Sequence, residues 1–364
     1  MLKDNGLTAV LLILFVAIAA SSAPAQDSQT PQVDSILGTW YGEQTPSVGV
    51  LIMQQGEVKV RKSYGFANLE EETRADAHTN YDLATLTEQF TVMATLILQE
   101  EKQWDKKTPV SELLPDLPGY CEGITLQHLF NHTSGLPLLP QMNFYDDIRS
   151  YDDLLDFLAE HDGLKSKPGK SAQQNPVNDA LLAQIIERST GDSYRDIVGE
   201  RIFDALGMED SRVYKKGWFR KVPSKATSYL RKENNQYEDT GGFPDSYLEG
   251  AIGVFSNLRD MQRWLLAWET DTLISRNLLN SAQRINFRRG QKNFPGYGWT
   301  RAFNNGTKYL YQGGIGPGTS HIILKVPGEK ISVVILSNQS SLFGLRKRAF
   351  ELVNLFSEKK YETR

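Results

Sequence analysis

The sequence contains a single cysteine, Cys121, among its 364 residues. One cysteine cannot form an internal disulfide, and it excludes a metal site built from several thiolates. The sequence also lacks a His-Glu-x-x-His motif, a Cys-x-x-Cys pair and the glycine-rich loops that bind nucleotide phosphates. We therefore predict no dedicated metal site and no cofactor.

The sequence also lacks an excess of positive charge. Its 40 lysine and arginine residues stand against 44 aspartate and glutamate residues, giving a formal net charge of -4. Binding to a phosphate backbone requires a clustered basic surface, so this composition does not favour nucleic acid as a partner. Hydrophobic residues make up 40% and charged residues 23%, which is typical of a globular protein.

The apolar run from Leu7 to Ala20 is shorter than the roughly 20 residues of a membrane-spanning helix. Small residues follow it, and Ala23-x-Ala25 has the small-x-small form of a signal-peptidase site. We therefore predict a signal peptide at 1–25, cleaved near Ala25, and a secreted or periplasmic protein. If the segment stays uncleaved, it anchors the protein to a membrane.

Hydrophobic periodicity predicts strands towards both ends of the chain and helices between them. The predicted strands are 47–53, 58–66, 298–301, 308–312, 320–326 and 331–337. The predicted helices are centred on 90–97, 181–186, 257–268 and 345–356. Asn305-Gly306 is a strong signal for a two-residue hairpin turn.

These patterns predict an α+β fold in which both chain ends contribute to one antiparallel sheet. We expect a flexible lead-in at 26–34 and a sheet domain formed by 35–84 together with 286–364. Residues 85–285 are then a mostly helical lobe.

Several segments between Gly42 and Asn338 resemble the serine β-lactamase and penicillin-binding-protein-like family, closest to its class C and esterase-like branch. The segments that carry the resemblance are Tyr64–Leu69, Gln89–Thr91, Ile124–Pro137 with its His-Thr-Ser-Gly-Leu-Pro loop, Ile185–Glu187, Arg201–Met208 and Gly250–Trp264. The resemblance implies an antiparallel sheet flanked by helices and a helical lobe, with the site between them.

In this family a serine and a lysine stand three residues apart at a helix start. The equivalent positions here hold Thr85 and Glu88. Threonine keeps a hydroxyl, but a carboxylate near a helix N-terminus is stabilised in its charged form and is a poor base. Thr-x-x-Glu before an apolar run is also a capping-box pattern, so we expect Thr85 and Glu88 to cap the helix.

The family's two other motifs are altered as well. At the position of Tyr-x-Asn the sequence has Gln173 and Asn175, and a glutamine side chain cannot act as a general base. We expect Asn175 either to orient a bound amide or to brace its loop. At the position of Lys-Thr-Gly or His-x-Gly it has Gln312, Gly313 and Gly314, whose glycines either admit a ligand close to the strand or serve packing.

Four substitutions that each weaken the same chemistry predict a catalytically impaired member of the family. The expected ligand cleft consists of Thr85, Asn175, Gln312, Gly313 and Gly314. By resemblance, its ligand is a peptidoglycan-type peptide, another small peptide-like molecule or a protein partner. One alternative is an active esterase, D-amino-acid peptidase or β-lactamase with Thr85 as its nucleophile. A second alternative is a structural envelope-interaction protein.

Two further features remain outside this interpretation. We expect none of the five histidines to replace the missing groups, and His132 to be structural. Arg284, Arg288, Arg289 and Lys292 form either a basic patch for an anionic partner or an ordinary solvated surface. The oligomeric state does not follow from the sequence.

Overall fold

The structure is a computed structural model. It describes residues 29–139, 148–214, 221–234, 236–242, 248–284, 293–340 and 342–363. The predicted signal peptide at 1–25 lies outside these residues. Among the residues that are described, no helix has the length and apolar character needed to cross a membrane.

The elements follow the predicted order of strands, helices and strands. The α-helices in the described ranges are α1 Thr30–Leu37, α2 Glu88–Glu101, α3 Val110–Leu113, α4 Leu126–Phe130, α5 Tyr151–Ala159, α6 Pro176–Thr190, α7 Tyr194–Val198, α8 Leu258–Ala267, α9 Arg276–Gln283 and α10 Leu345–Phe356. The strands are β1 Val48–Gln54, β2 Glu57–Tyr64, β3 Phe66–Asn68, β4 Thr73–Arg74, β5 Tyr81–Asp82, β6 Arg212–Val213, β7 Tyr229–Arg231, β8 Tyr237–Asp239, β9 Val254–Ser256, β10 Phe294–Gly296, β11 Trp299–Asn304, β12 Thr307–Gly316, β13 Thr319–Val326 and β14 Ile331–Ser337.

A seven-stranded antiparallel sheet joins the two ends of the chain. Its strand order is β10-β11-β12-β13-β14-β1-β2, so the first strands pair with the last. Asn305 and Gly306 link β11 to β12 with φ values of 46° and 74°, the left-handed conformation that a tight hairpin turn needs. The predicted α+β fold and the predicted joining of both ends in one sheet are confirmed.

The sheet separates two hydrophobic cores, because successive side chains of a strand point to opposite faces. Along β1, Val50 and Ile52 pack in the core that contains α1 and α10. Leu51 and Met53 pack in the larger core that contains α2, α6 and α8.

Part of the predicted lead-in is helical. Thr30–Leu37 forms α1, and Val33 and Leu37 are fully buried in the core beside α10. Asp34 accepts hydrogen bonds from Lys62 and from the hydroxyl of Tyr64. The expectation of a flexible segment at 26–34 was therefore wrong for residues 30–34, because tertiary packing stabilises a helix that its polar composition did not suggest.

Helices α2 and α8 bring the middle of the chain against the sheet. A Cβ atom at Gly49 in β1 would lie 3.2 Å from Cδ1 of Leu258, the first residue of α8. Helix α8 therefore packs closely against β1, where a side chain larger than hydrogen has little room. Helix α2 is buried even at polar positions: the side chain of Gln89 donates to the carbonyl of Gly298 and accepts from Trp264.

Candidate functional site

Thr85 lies in a short 3-10 turn, Ala84–Thr87, between β5 and α2. Ala84 has a φ of 51°, a left-handed conformation that costs energy for a residue with a Cβ atom. The carboxylate of Asp82 accepts the N–H of Ala84 at 3.0 Å, and the carbonyl of Asp82 accepts from Nε2 of His321 at 2.6 Å. These bonds hold the turn, and with it Thr85, against the sheet.

The hydroxyl of Thr85 contacts the backbone of β12. It donates to the carbonyl of Gly313 at 3.4 Å and accepts the N–H of Ile315 at 3.3 Å. Pairing of β12 with β11 stops at Tyr311, so these backbone groups lie beyond the end of that neighbouring strand. Within the described ranges, no titratable side chain hydrogen-bonds to the Thr85 hydroxyl.

Glu88 begins α2 and is only 2% exposed. Its Oε1 accepts from Nε2 of His132 at 3.1 Å. Its Oε2 accepts from the side-chain amides of Gln174 at 2.5 Å and Gln312 at 2.9 Å. The carboxylate is therefore surrounded by three donors from separate parts of the chain.

The predicted capping box was wrong. Its geometry requires the Thr85 hydroxyl to accept from the backbone at Glu88 and the Glu88 carboxylate to reach the N–H of Thr85. Neither bond forms, and the first turn of α2 has no side-chain cap. Donors that are distant in sequence occupy the Glu88 carboxylate instead, because they lie next to it in the folded chain.

His132 binds Glu88 on one side and asparagine donors on the other. Burial opposes a charge on the His132 ring and lowers its pKa, whereas negative charge on the neighbouring carboxylates of Glu88 and Asp179 acts to raise that pKa. The bonds at Nδ1 favour the neutral state, because Nδ1 accepts from the backbone N–H of Asn175 and the amide of Asn178, at 3.3 and 3.1 Å. A backbone N–H cannot become an acceptor. We therefore assign a neutral ring with its hydrogen on Nε2.

Asp179 completes the buried cluster. Burial, reinforced by the charge of Glu88, raises the pKa of Asp179 well above its usual value, although His132 acts in the opposite direction. A neutral Asp179 carboxyl adds no negative charge that would favour a charged His132. The three side-chain donors to Glu88 then satisfy this buried carboxylate.

The described part of the chain also contains one cluster of potential metal ligands. One such atom from each of Glu88, His132 and Asp179 lies within 4.8 Å of the others. Every such atom of Glu88 and His132 is already hydrogen-bonded. A metal ion bound there would have to replace these bonds.

In the second motif, the residue that reaches Glu88 is the neighbour of the predicted Gln173. Gln173 is exposed, and it is the adjacent Gln174 whose amide reaches Glu88. Asn175 is buried and braces its surroundings: its side-chain oxygen caps α6, and its amide donates to the carbonyls of Leu136 and Pro137. Of the two expected roles for Asn175, its contacts match the bracing role.

The third motif lies where it was predicted. Gln312 is 5% exposed, and its amide binds Glu88. A Cβ atom at Gly314 would lie 2.6 Å from the carbonyl oxygen of Leu83, so the chain's own turn requires this glycine. A Cβ atom at Gly313 would meet nothing closer than 3.8 Å. The structure thus brings Thr85, Gln312 and Gly313 together, and packing accounts for Gly314.

Sequence analysis missed Gln174, Asp179 and Ile315, and it gave His132 only a general structural role. The signal for Gln174 was present, because it adjoins Gln173 in the same motif. Nothing local marks Asp179 or the N–H of Ile315, which acquire their positions through tertiary packing.

The fold and the arrangement of these three motifs define a β-lactamase-type protein. The family model "Beta-lactamase" matches residues 33–357, and the chain belongs to this family. Among curated proteins it is similar to "Penicillin-binding protein 4*" of Bacillus subtilis (strain 168), with 28% identity over 311 residues, covering 80% of this chain and 67% of the relative. It is also similar to "Protein flp" of Staphylococcus aureus (strain MRSA252), with 23% identity, covering 87% and 64%. The chain thus spans about two thirds of the length of these relatives.

Solved structures show the same fold. The octameric penicillin-binding protein homologue from Pyrococcus abyssi matches with a TM-score of 0.79 and 22% identity, covering 91% of this chain and 78% of that one. The D-amino acid amidase from Ochrobactrum anthropi SV3 complexed with D-phenylalanine matches with a TM-score of 0.76 and 19% identity, covering 90% and 99%. The predicted family membership is confirmed.

Proposed function

We propose that this chain is a non-catalytic member of the β-lactamase family that binds a peptide-like ligand reversibly beside Thr85 and β12. The observation that carries the proposal is the Glu88 carboxylate, which accepts hydrogen bonds from His132, Gln174 and Gln312. These bonds direct the Glu88 carboxylate towards His132, Gln174 and Gln312, and the Thr85 hydroxyl is not among its partners in the described structure.

A nucleophilic hydroxyl needs a neighbouring base to take its proton. The hydroxyl of Thr85 bonds only to the backbone of Gly313 and Ile315 in the described structure. The amides of Gln174 and Gln312 do not titrate in the useful range. This geometry supports an unactivated threonine.

The edge of β12 beyond Tyr311 supports a ligand with an extended backbone. This part of the strand has no β11 partner, and the carbonyl of Gly313 and the N–H of Ile315 bond to the Thr85 hydroxyl, which an added peptide backbone would displace. An extended peptide can add to such an edge through main-chain hydrogen bonds. The side chain of Ile315 is 64% exposed at this place and offers an apolar contact.

The names of the similar proteins suggest the ligand class. They include penicillin-binding proteins and a D-amino acid amidase. A short peptide with D-amino acids, of the peptidoglycan type, is therefore the ligand that we propose. The N-terminal apolar segment supports an exported protein, which would meet such peptides outside the cytoplasm.

The first experiment tests the absence of catalysis. Mature protein and its Thr85→Ala variant are incubated with a penicillin and, separately, with a fluorophosphonate probe, and intact masses are recorded. We expect no adduct on either protein, with folding confirmed by a cooperative melt. An adduct on the wild type that is absent from Thr85→Ala would overturn the proposal in favour of a hydrolase using Thr85.

The second experiment tests binding. Calorimetric titration with an acyl-D-alanyl-D-alanine peptide should give saturable, reversible binding that Thr85→Ala largely retains. Ile315→Arg should weaken it, because a charged side chain replaces an apolar contact at the strand edge. Phe343→Arg is the matched control, since Phe343 is 86% exposed just before α10. If the peptide does not bind, or if Ile315→Arg binds it as tightly as Phe343→Arg does, the ligand assignment fails and a structural role is favoured.

A further inference from the structure

A cavity that contains none of the residues around Thr85 carries an excess of positive charge. It has a volume of about 420 Å³ and is bounded by α4, the loop around Gly169, the end of α9 and the β10–β11 hairpin. Its basic lining residues are Lys106, Lys170, Arg284 and Arg301. None of the described lining residues is an aspartate or a glutamate.

Arg301 in β11 is the deepest of these cations, at 3% exposure. Its Nη1 donates to the carbonyl of Gly296 at 2.9 Å, and its Nη2 donates to the carbonyl of Ala282 at the end of α9. Its Nε is buried without a partner in the described structure, and no carboxylate pairs with the side chain. A guanidinium has five N–H donors, so most of this group's capacity is uncommitted.

The charge at Arg301 is not offset by its surroundings. Burial lowers the pKa of Arg301 to about 10, which still leaves it charged at neutral pH. Burial and the charge of Arg301 together lower the pKa of Lys308, whose Nζ donates to the carbonyl of Gln283. A buried charge without a counter-ion is costly, and a bound anion removes that cost.

The acidic residue Asp105 does not supply this counter-ion. Burial and the charge of Asp105 raise the pKa of Tyr297, but the Asp105 carboxylate accepts the backbone N–H of Lys107 and does not line the cavity. The His128 ring is held neutral, because burial lowers its pKa.

The walls of the cavity indicate the size and type of the anion. Phe294, Pro295 and Tyr297 contribute an apolar side, and the ring of Tyr297 stacks on Phe130 at 4.9 Å. The volume lies within the range of sites for small organic molecules and exceeds what an inorganic ion needs. A guanidinium fork matches a carboxylate.

We propose that this cavity binds a small organic carboxylate, with its charged end at Arg301 and its apolar part against Phe294 and Tyr297. Lys106 and Arg284 attract the anion from the rim, and neither has an ion-pair partner in the described structure. This site contains none of the residues around Thr85, so it stands independently of the proposed function. Of the basic patch in the sequence, Arg284 lines it, while Arg288, Arg289 and Lys292 lie outside the described residues.

The test is calorimetric titration in low-salt buffer with phthalate, its neutral diamide phthalamide, phenyl phosphate and inorganic phosphate. We expect phthalate to bind with a stoichiometry of one and phthalamide not to bind. The variant Lys106→Gln/Arg284→Gln should weaken phthalate binding by about tenfold or more, as expected for lost charged hydrogen bonds. Two control variants should leave phthalate binding unchanged. They are Lys347→Gln, at an exposed lysine on α10, and Thr85→Ala.

Arg301→Gln should abolish phthalate binding. Because Arg301 also braces α9, a cooperative melt must first show that this variant folds, and the rim double variant decides the matter if it does not. Equal binding by wild type and rim variant, equal binding of phthalamide, or no binding of phthalate would overturn the proposal. Tighter binding of phenyl phosphate or inorganic phosphate than of phthalate would overturn the carboxylate assignment.

Discussion

Replacing Glu88 by lysine should destabilise the fold strongly, although lysine is the residue that the family motif has at this position. The carboxylate is 2% exposed and accepts from His132, Gln174 and Gln312. A lysine there offers no acceptor for the ring N–H of His132, and the amides of Gln174 and Gln312 must turn their oxygens inward to avoid facing another donor. Removing one partner of a buried charged group costs about 3 to 5 kcal/mol. That is a large share of the roughly 5 to 15 kcal/mol that stabilises a typical domain.

A second substitution makes this reasoning specific to the site. Gln312→Glu alone places a second carboxylate where the amide now lies 2.9 Å from Glu88, and two such charges cannot both ionise without cost. In the double variant Glu88→Lys/Gln312→Glu, the new lysine faces the new carboxylate. We expect the double variant to be more stable than the sum of the single effects predicts, with a coupling energy of about 2 kcal/mol.

Urea unfolding followed by tryptophan fluorescence at pH 7 measures these effects, since the chain contains 6 tryptophans. The control Glu122→Lys makes the same charge change at an exposed position. Its free energy of unfolding should stay within about 0.5 kcal/mol of the wild-type value. The reasoning fails if Glu88→Lys lowers the free energy of unfolding by less than about 1 kcal/mol, because one hydrogen bond to a charged group normally contributes more than that. It also fails if the two substitutions are additive.

Three further outcomes can be measured on the same protein. Gly314→Ala should cost about 1 to 3 kcal/mol in urea unfolding, because its Cβ would lie 2.6 Å from the carbonyl of Leu83, whereas Gly313→Ala should cost clearly less. Burial lowers the pKa of His321 to about 4, so above about pH 6.5 its contribution to stability is complete. As the pH falls from 6.5 to 4 the unfolded state takes up the proton first and stability drops, a loss that His321→Gln should reduce. Burial raises the pKa of the Cys121 thiol to about 12, so a thiol reagent at pH 8 should label it only after unfolding; rapid labelling of the native protein would contradict this.

The sequence predicted the fold well where the signals are local. Asn305-Gly306 predicted the hairpin between β11 and β12, and these two residues form that turn. The lead-in was predicted less well, because α1 depends on contacts of Val33 and Leu37 with distant strands and with α10. A polar, short segment carries little local indication of such packing.

The candidate site was predicted only in part. Thr85, Glu88, Gln312 and Gly313 occupy the positions inferred from the motifs, but the capping box between Thr85 and Glu88 does not form. A local pattern suggested that pairing, while the folded chain offered the Glu88 carboxylate better donors. Gln174 rather than Gln173 supplies one of them, a choice that only the folded chain shows.

The sequence alone determined the order of strands and helices and the resemblance to the β-lactamase family, since periodicity, turns and motifs are properties of short segments. It also showed that Glu88 and Gln312 stand where the family motifs have a lysine or histidine, and that Gln173 stands where they have a tyrosine. Only the tertiary structure decided what those side chains do together. The donors to Glu88 come from positions 44, 86 and 224 residues away along the chain. Contacts over such separations exist only after the sheet and the helical lobe have packed, and no local pattern in the sequence encodes them.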